Sequence, residues 1–212
     1  LNEARMSHAL FAGAELTGAD LSGASLDHAS FETASFSHCQ LTGANLRGAK
    51  FPGARFHACR MRGCAFDGAD LRGGDFSSTS LRGARLGQAT TGSMRLVRCD
   101  LAGADLRDRN LEKSDLTDAN LQGADLSNVS LMSSNLTRAD FTGALMKGAR
   151  LGRTMGTGAT FTLCELEGAD FTSATLPFAS FEQSRMCGVC LEFAKLDDSN
   201  FIRTDGEKAK LG

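Results

Sequence analysis

The chain has 212 residues, 42% of them apolar, with 23 basic residues set against 25 acidic ones for a net charge of -2. These values exclude a disordered polyampholyte and an overall basic nucleic-acid binder. No apolar run approaches the roughly 20 residues that a membrane span needs, and residues 1–10 lack the basic-then-apolar pattern of a signal peptide. Glycine is abundant at 24, proline is scarce at 2, and 14 phenylalanines occur without a single Trp or Tyr. A core that accepts Phe but no larger ring is narrow.

A period of five accounts for this selection. Every fifth position from Leu1 to Leu211 makes 43 centres, of which 24 are Leu, 12 Phe and 4 Met; the exceptions are Thr91, Gly156 and Gly206. Two residues before each centre lies a small position, Ala in 25 of 42 cases and Cys in 5. The residue between is polar, and 17 of the 24 glycines stand two residues after a centre. Small, polar, large is a period-two alternation that turns the first and third residues to one face. Two further residues then turn the chain, with Pro presetting φ at the first (Pro52, Pro177) and Gly tolerating positive φ at the second. A strand stub and a turn every five residues wind into a β-solenoid.

The length of one coil is also readable. Phe11, Phe31 and Phe51, then Phe36, Phe56 and Phe76, then Phe141, Phe161, Phe181 and Phe201 recur at intervals of 20. Four pentapeptides per coil stack these rings into columns. Coils about 4.8 Å apart make a rod of about 10 coils, roughly 50 Å long. The chain is read as one all-β domain over 1–212.

The units Ala19-Asp20-Leu21, Ala44-Asn45-Leu46, Ala69-Asp70-Leu71, Ala119-Asn120-Leu121, Ala124-Asp125-Leu126 and Ala169-Asp170-Phe171 resemble the pentapeptide repeat family, whose motif is Ala-(Asp/Asn)-Leu-X-X. The resemblance covers the whole chain. It implies a right-handed quadrilateral parallel β-helix with the centre and Ala positions inside. It does not imply one function. The best-understood members bind type II topoisomerases as DNA mimics, protecting them from quinolones or peptide toxins; others are modules of channel adaptors, secretion-associated proteins or cyanobacterial proteins.

Taken in chain order, the departures from the repeat are the places to look for function. His8 and His28 should stack beside Asp27, but two imidazoles and one carboxylate without supporting residues do not argue a metal site. His38 and His57 also lie at outward turns. Cys39, Cys59, Cys64, Cys99 and Cys164 occupy small inward positions, where a reduced thiol packs as a slightly larger Ala. Cys39 and Cys59 fall on neighbouring coils, yet free thiols and a reducing compartment are the reading preferred. At Thr91 a large centre is lost and Met94 enters the next small position, a size swap that refills the core. Arg109 occupies an inward position; it is expected to escape at a corner or to pair with Asp108 or Asp105, because a buried lone charge costs several kcal/mol. Gly156 lacks a compensating neighbour, so a distortion within 153–158 is expected, with Met155 turning inward. Cys187-Gly188-Val189-Cys190 is a single C-x-x-C with both thiols outward and no second pair to complete a zinc site.

Charge is banded along the chain. Residues 1–46 carry five acids and one base, 47–98 three acids and ten bases, and 100–142 eight acids and four bases. Arg47, Arg55, Arg60, Arg62, Arg82, Arg85, Arg95 and Arg98 form a basic girdle and the candidate interaction surface. Outward apolar residues gather late: Leu145, Met155, Leu163, Phe178, Phe193 and Ile202, against Leu10, Val97 and Met132 earlier. Leu163, Phe178, Phe193 and Ile202 are the candidate C-terminal contact.

No nucleophile–base arrangement or phosphate-binding loop is visible, and no catalytic residue, cofactor or metal is expected. The repeat already runs at Leu1 and still runs near Leu211, which reads as a repeat domain cut from a longer protein or one capped by self-association through a terminal coil. The leading expectation is a non-enzymatic protein–protein interaction scaffold whose partner presents an acidic surface. Direct nucleic-acid binding is not expected. The alternatives are a DNA-mimicking gyrase or topoisomerase binder, and the recognition module of a secretion-associated adaptor or effector. The expected compartment is the bacterial cytoplasm, or delivery by a specialised secretion system if the chain belongs to a larger protein.

Overall fold

The computed structural model describes residues 1–210. Each pentapeptide forms one edge of a square coil, and four edges complete a coil of 20 residues. Three edges are long enough to be strands: β1 (Glu15–Thr17), β2 (Ser35–Ser37) and β3 (Arg55–His57). They form a parallel sheet in the order β1-β2-β3, with Leu16, Phe36 and Phe56 in register. Elsewhere each edge contributes one bridging residue, paired in parallel with the residue 20 further on, as in Asp20↔Gln40, Gln40↔Arg60 and Arg60↔Ser80. The result is the right-handed quadrilateral β-helix.

Backbone donors explain why five residues suffice. The centre N–H reaches up one coil, as Met6 N–H does to the Ser25 carbonyl at 2.8 Å, and the residue two later does the same, as His8 N–H does to Asp27. The small residue donates back to its own centre, Ala9 to Met6 at 3.1 Å, and the polar residue reaches down, Ser25 to Ala4 at 2.9 Å. The fifth donor follows the centre and, in units with Asp or Asn before the centre such as 75–77 and 140–142, finds the side chain two residues earlier. Ser77 and Thr142 N–H groups donate to Oδ1 of Asp75 and Asp140, and their hydroxyls donate to the same oxygens. Asp and Asn therefore hold the middle position as turn acceptors as well as solvent-facing groups.

The inside is filled by centres and small residues. The expected ring columns form: Phe11–Phe31–Phe51 stack at 5.0 Å, Phe36–Phe56–Phe76 at 4.7 and 4.9 Å, and Phe141–Phe161–Phe181–Phe201 at 4.9–5.0 Å. All seven cysteines are free thiols, and five are buried. Cys64 and Cys164 donate to the Leu41 and Phe141 carbonyls at 2.9 Å.

Three expectations about the irregular positions resolve differently. Met94 is buried and replaces the volume lost at Thr91, as the size swap requires. Arg109, however, neither lies free at a corner nor pairs with Asp105 or Asp108. It passes between coils, donating through Nε to its own Arg107 carbonyl at 2.9 Å and through Nη1 to the Ala89 carbonyl at 3.1 Å. In a regular coil those two carbonyls accept the Gln88 and Asn110 N–H groups. The Thr90–Asn110 bridge is correspondingly missing from an otherwise continuous column, and the Thr91 hydroxyl, not its N–H, donates to the Asn110 carbonyl at 2.5 Å. Thus Arg109 wedges open one seam and caps the carbonyls it exposes. Gly156 leaves no distortion: bridging continues through Met155, and Leu176 fills the space a side chain at 156 would take. Met155 therefore stays outside, 61% exposed, because the core has no vacancy for it.

Candidate interaction surface

The winding distributes the basic girdle over three of the four faces and three of the four corners. Arg55 and Arg95 lie on one face, in register with Asp75 and Asp115. Arg95 approaches Asp75 at 3.8 Å, and Arg98 approaches Asp118 at 3.8 Å on the following corner. Asp118 is gripped more firmly by Arg138, through two hydrogen bonds of 2.6 and 2.9 Å that hold its carboxyl below the usual range. Arg72 and Arg107 similarly fork onto Asp70 and Asp105 and lower their pKa values. These arginines are engaged by the rod itself.

A second group is not. Arg60 lies on the face of Gln40, Ser80 and Asp100; Arg62 and Arg82 stack on the next corner; Arg85 lies on the face beyond. All four are exposed. Arg60, Arg62 and Arg85 have no carboxylate within ion-pair distance among the described residues, and Arg82 has only Asp100 at 3.6 Å. Arg47 and Arg55 are also without an ion pair among those residues, but on other corners and faces, where Arg47 lies between Asp27 and Asp67 in its column. Of the eight arginines expected to form a surface, the structure brings four together. Arg62 and Arg82 border a groove of about 480 Å³ that continues along Gly83, Ala102, Gly103, Gln122 and Gly123.

The apolar candidates do not converge. Leu163 and Ile202 share this corner two coils apart, 54% and 59% exposed, while Phe178 and Phe193 occupy two other corners at 63% and 77%. Leu163, Phe178 and Phe193 adopt positive φ near 60°, the turn position that glycine elsewhere fills. An apolar hollow of about 340 Å³, lined by Met186, Leu191, Leu196 and Phe201 among others, lies at the last described coil. His8 and His28 stack at 5.2 Å, and Asp27 accepts from Ser7 and Ser25; no group of three metal-ligating side chains occurs among the described residues. Cys187 and Cys190 are partly exposed. Sequence reasoning missed the separation of engaged from unengaged arginines. The signal was present in part, because Arg72 and Arg107 each follow an Asp by two residues and Arg62 follows Arg60.

A square, parallel, five-residue solenoid with its charge presented in ordered columns defines a class of repeat proteins. The family model for pentapeptide repeats matches the chain in eight copies, over residues that include 1–37, 14–53, 39–77, 51–88, 95–131, 134–172 and 164–201. The chain belongs to the pentapeptide repeat family. Among solved structures, a trypsin-treated variant of QnrB1, a plasmid-mediated fluoroquinolone resistance protein, is similar with a TM-score of 0.78 at 24% identity, covering 87% of this chain and 92% of that one. Full-length QnrB1 gives 0.62 at 23% identity with coverages of 87% and 92%. HetL, a pentapeptide repeat protein involved in heterocyst differentiation regulation from the cyanobacterium Nostoc sp. strain PCC 7120, is 26% identical over 93% of this chain and 87% of that one, with a TM-score of 0.37. No curated protein matches the sequence. The likeness to QnrB1 is one of fold. No helix among the described residues is long and apolar enough to cross a membrane.

Proposed function

We propose that the protein is a non-enzymatic protein-interaction scaffold that docks a partner on its basic band. The observation that supports this most is the four-arginine cluster, held on a hydrogen-bonded rod and, among the described residues, met by one internal counter-charge, Asp100 at 3.6 Å from Arg82. Such a cluster raises the local potential and steers an acidic surface toward it. Fixed rungs also spare the partner the ordering cost that a flexible basic loop imposes. The free buried thiols suit a reducing compartment such as the cytoplasm.

A DNA-mimicking gyrase binder draws on the likeness of fold to QnrB1. The charge distribution opposes it, since a mimic of DNA needs carboxylates along the presented face and this rod places arginines at mid-length. Supercoiling and quinolone-protection assays with gyrase separate the two. The scaffold reading predicts neither inhibition nor protection at micromolar protein, and clear inhibition would replace it with the mimic.

A further inference from the structure

Building on the interaction reading, we infer that the corner of Arg60, Arg62, Arg82 and Arg85 receives a short acidic polypeptide segment, about six extended residues rich in Asp and Glu. Three observations set the charge, the length and the class of the occupant.

Charge comes first. Arg72, Arg107 and Arg138 each close a forked pair with a neighbouring carboxylate at 2.6–2.9 Å. Among the described residues the corner cluster forms no such fork, and its sole ion pair is the 3.6 Å contact of Arg82 with Asp100. Guanidinium groups on successive rungs about 4.8 Å apart repel one another, and an incoming carboxylate relieves that repulsion while gaining bidentate hydrogen bonds.

Length follows from the column that carries Arg60. It runs Asp20, Gln40, Arg60, Ser80, Asp100, so carboxylates close the basic window at both ends. Four rung spacings of about 4.8 Å separate Asp20 from Asp100, a window of roughly 19 Å, which six extended residues at about 3.3 Å each span. A longer polyanion meets Asp100 and Asp105, then Asp125 and Asp140, and is repelled. Access along the corner is open, because a Cβ placed on Gly43, Gly63, Gly83 or Gly103 meets nothing within 4 Å.

Class follows from what surrounds the arginines. Gln40, Thr42, Asn45, Ala65, Ser80 and Ala102 provide no aromatic face on which bases stack, the feature single-stranded nucleic-acid sites use. An extended peptide needs no stacking platform.

The test is a fluorescence-anisotropy titration of the complete chain with labelled hexaglutamate, hexaserine and hexathymidylate. Hexaglutamate should bind in preference to both. The pair Arg62→Glu with Arg82→Glu should weaken it by about tenfold or more, whereas Arg153→Glu on the opposite corner should change it by less than about twofold. All three replaced arginines are exposed, and unchanged thermal melts verify that the variants fold. Hexaglutamate binding no tighter than hexaserine, or equal loss in Arg153→Glu, overturns the inference. So does tighter binding of hexathymidylate that strengthens on lengthening. If hexaglutamate fails while a protein is still cross-linked at the basic band, the acidic segment is wrong and the scaffold reading survives. Absence of any protein contact sinks both.

Discussion

Cysteine, serine and threonine replace alanine at the small position because a centre carbonyl has a second lone pair to offer. One lone pair takes the small residue's own N–H, and the other accepts a thiol or hydroxyl, either from the next coil, as the Leu41 carbonyl does from Cys64 and the Leu111 carbonyl from Ser134, or from the same turn, as the Leu151 carbonyl does from Thr154. Burial pushes the Cys59, Cys64 and Cys164 thiols up to about 12, and Cys99 is raised by the same cause. With thiolate the reactive form, an Ellman titration near neutral pH should modify two of the seven thiols in the native protein, Cys187 and Cys190, and all seven in denaturant. Rapid reaction of more than two would contradict the packing. At the turn, Phe178 and Phe193 hold a left-handed conformation that costs bulky residues about 1 kcal/mol or more. Phe178→Gly should therefore raise stability by up to about 1 kcal/mol in urea melts, and a clear loss would mean that the exposed ring contributes packing. The inward role of Cys39 or Cys164 was legible from period alone. The turn-capping role of Asp75 or Asp140 was not, because an outward carboxylate reads as a solvated group until its neighbour's N–H is seen to point at it.

Between consecutive coils the hydrogen-bonded ladder is the structural element, and it fails at one seam. Arg109, Thr91 and Met94 act together there: a guanidinium between strands, a hydroxyl in place of an amide donor, and a Met N–H redirected to the Ser114 hydroxyl at 3.1 Å. Beneath them an apolar cavity of about 10 Å³ remains among Leu71, Leu86, Leu111 and their neighbours, so Met94 refills most of the volume lost at Thr91 but not all. Arg109→Ala restores the regular small residue and lets Asn110 N–H reach the Ala89 carbonyl; it should stabilise by about 1 kcal/mol. A loss of stability would show the wedge to be worth more than the ladder it displaces. Thr91→Leu alone should destabilise by about 1–3 kcal/mol through overpacking against Met94. Combined with Met94→Ala, that cost should largely vanish, and additive effects in the double-mutant cycle would contradict the shared cavity. The compensation of Thr91 by Met94 could be read from sequence, because both are changes of volume on a fixed register. The path of Arg109 could not, since it depends on two carbonyls released by a neighbouring coil. Gly156 was misread for a related reason: its missing volume is supplied by Leu176 from the coil above, not by the adjacent Met155.

Across the whole molecule, stability and recognition both depend on which charges are paired internally. Arg72, Arg107 and Arg138 hold Asp70, Asp105 and Asp118 below the ordinary carboxylate range. A folded pKa below the unfolded value contributes stability above about pH 4, lost as pH falls through the folded value. The urea midpoint should thus fall on acidification below about pH 4, and a midpoint that rises there would contradict these pairings. The fold was almost wholly legible, since one period and three Phe columns determine coil length and direction of stacking. The site was legible as a band but not as a corner. Arg60 and Arg95 hold the same polar position before a centre, and only the winding shows that one is bridged by Gln40 and Ser80 while the other lies beside Asp75. The measurement that tests the central claim most directly is photo-cross-linking in the cells that make the protein, with p-benzoylphenylalanine in place of Ser80 in the basic band or of Thr160 on the same face outside it. The account predicts a protein cross-linked from Ser80 and lost when Arg62 and Arg82 are reversed to Glu. A protein captured equally from Thr160, or none from either position, would contradict it.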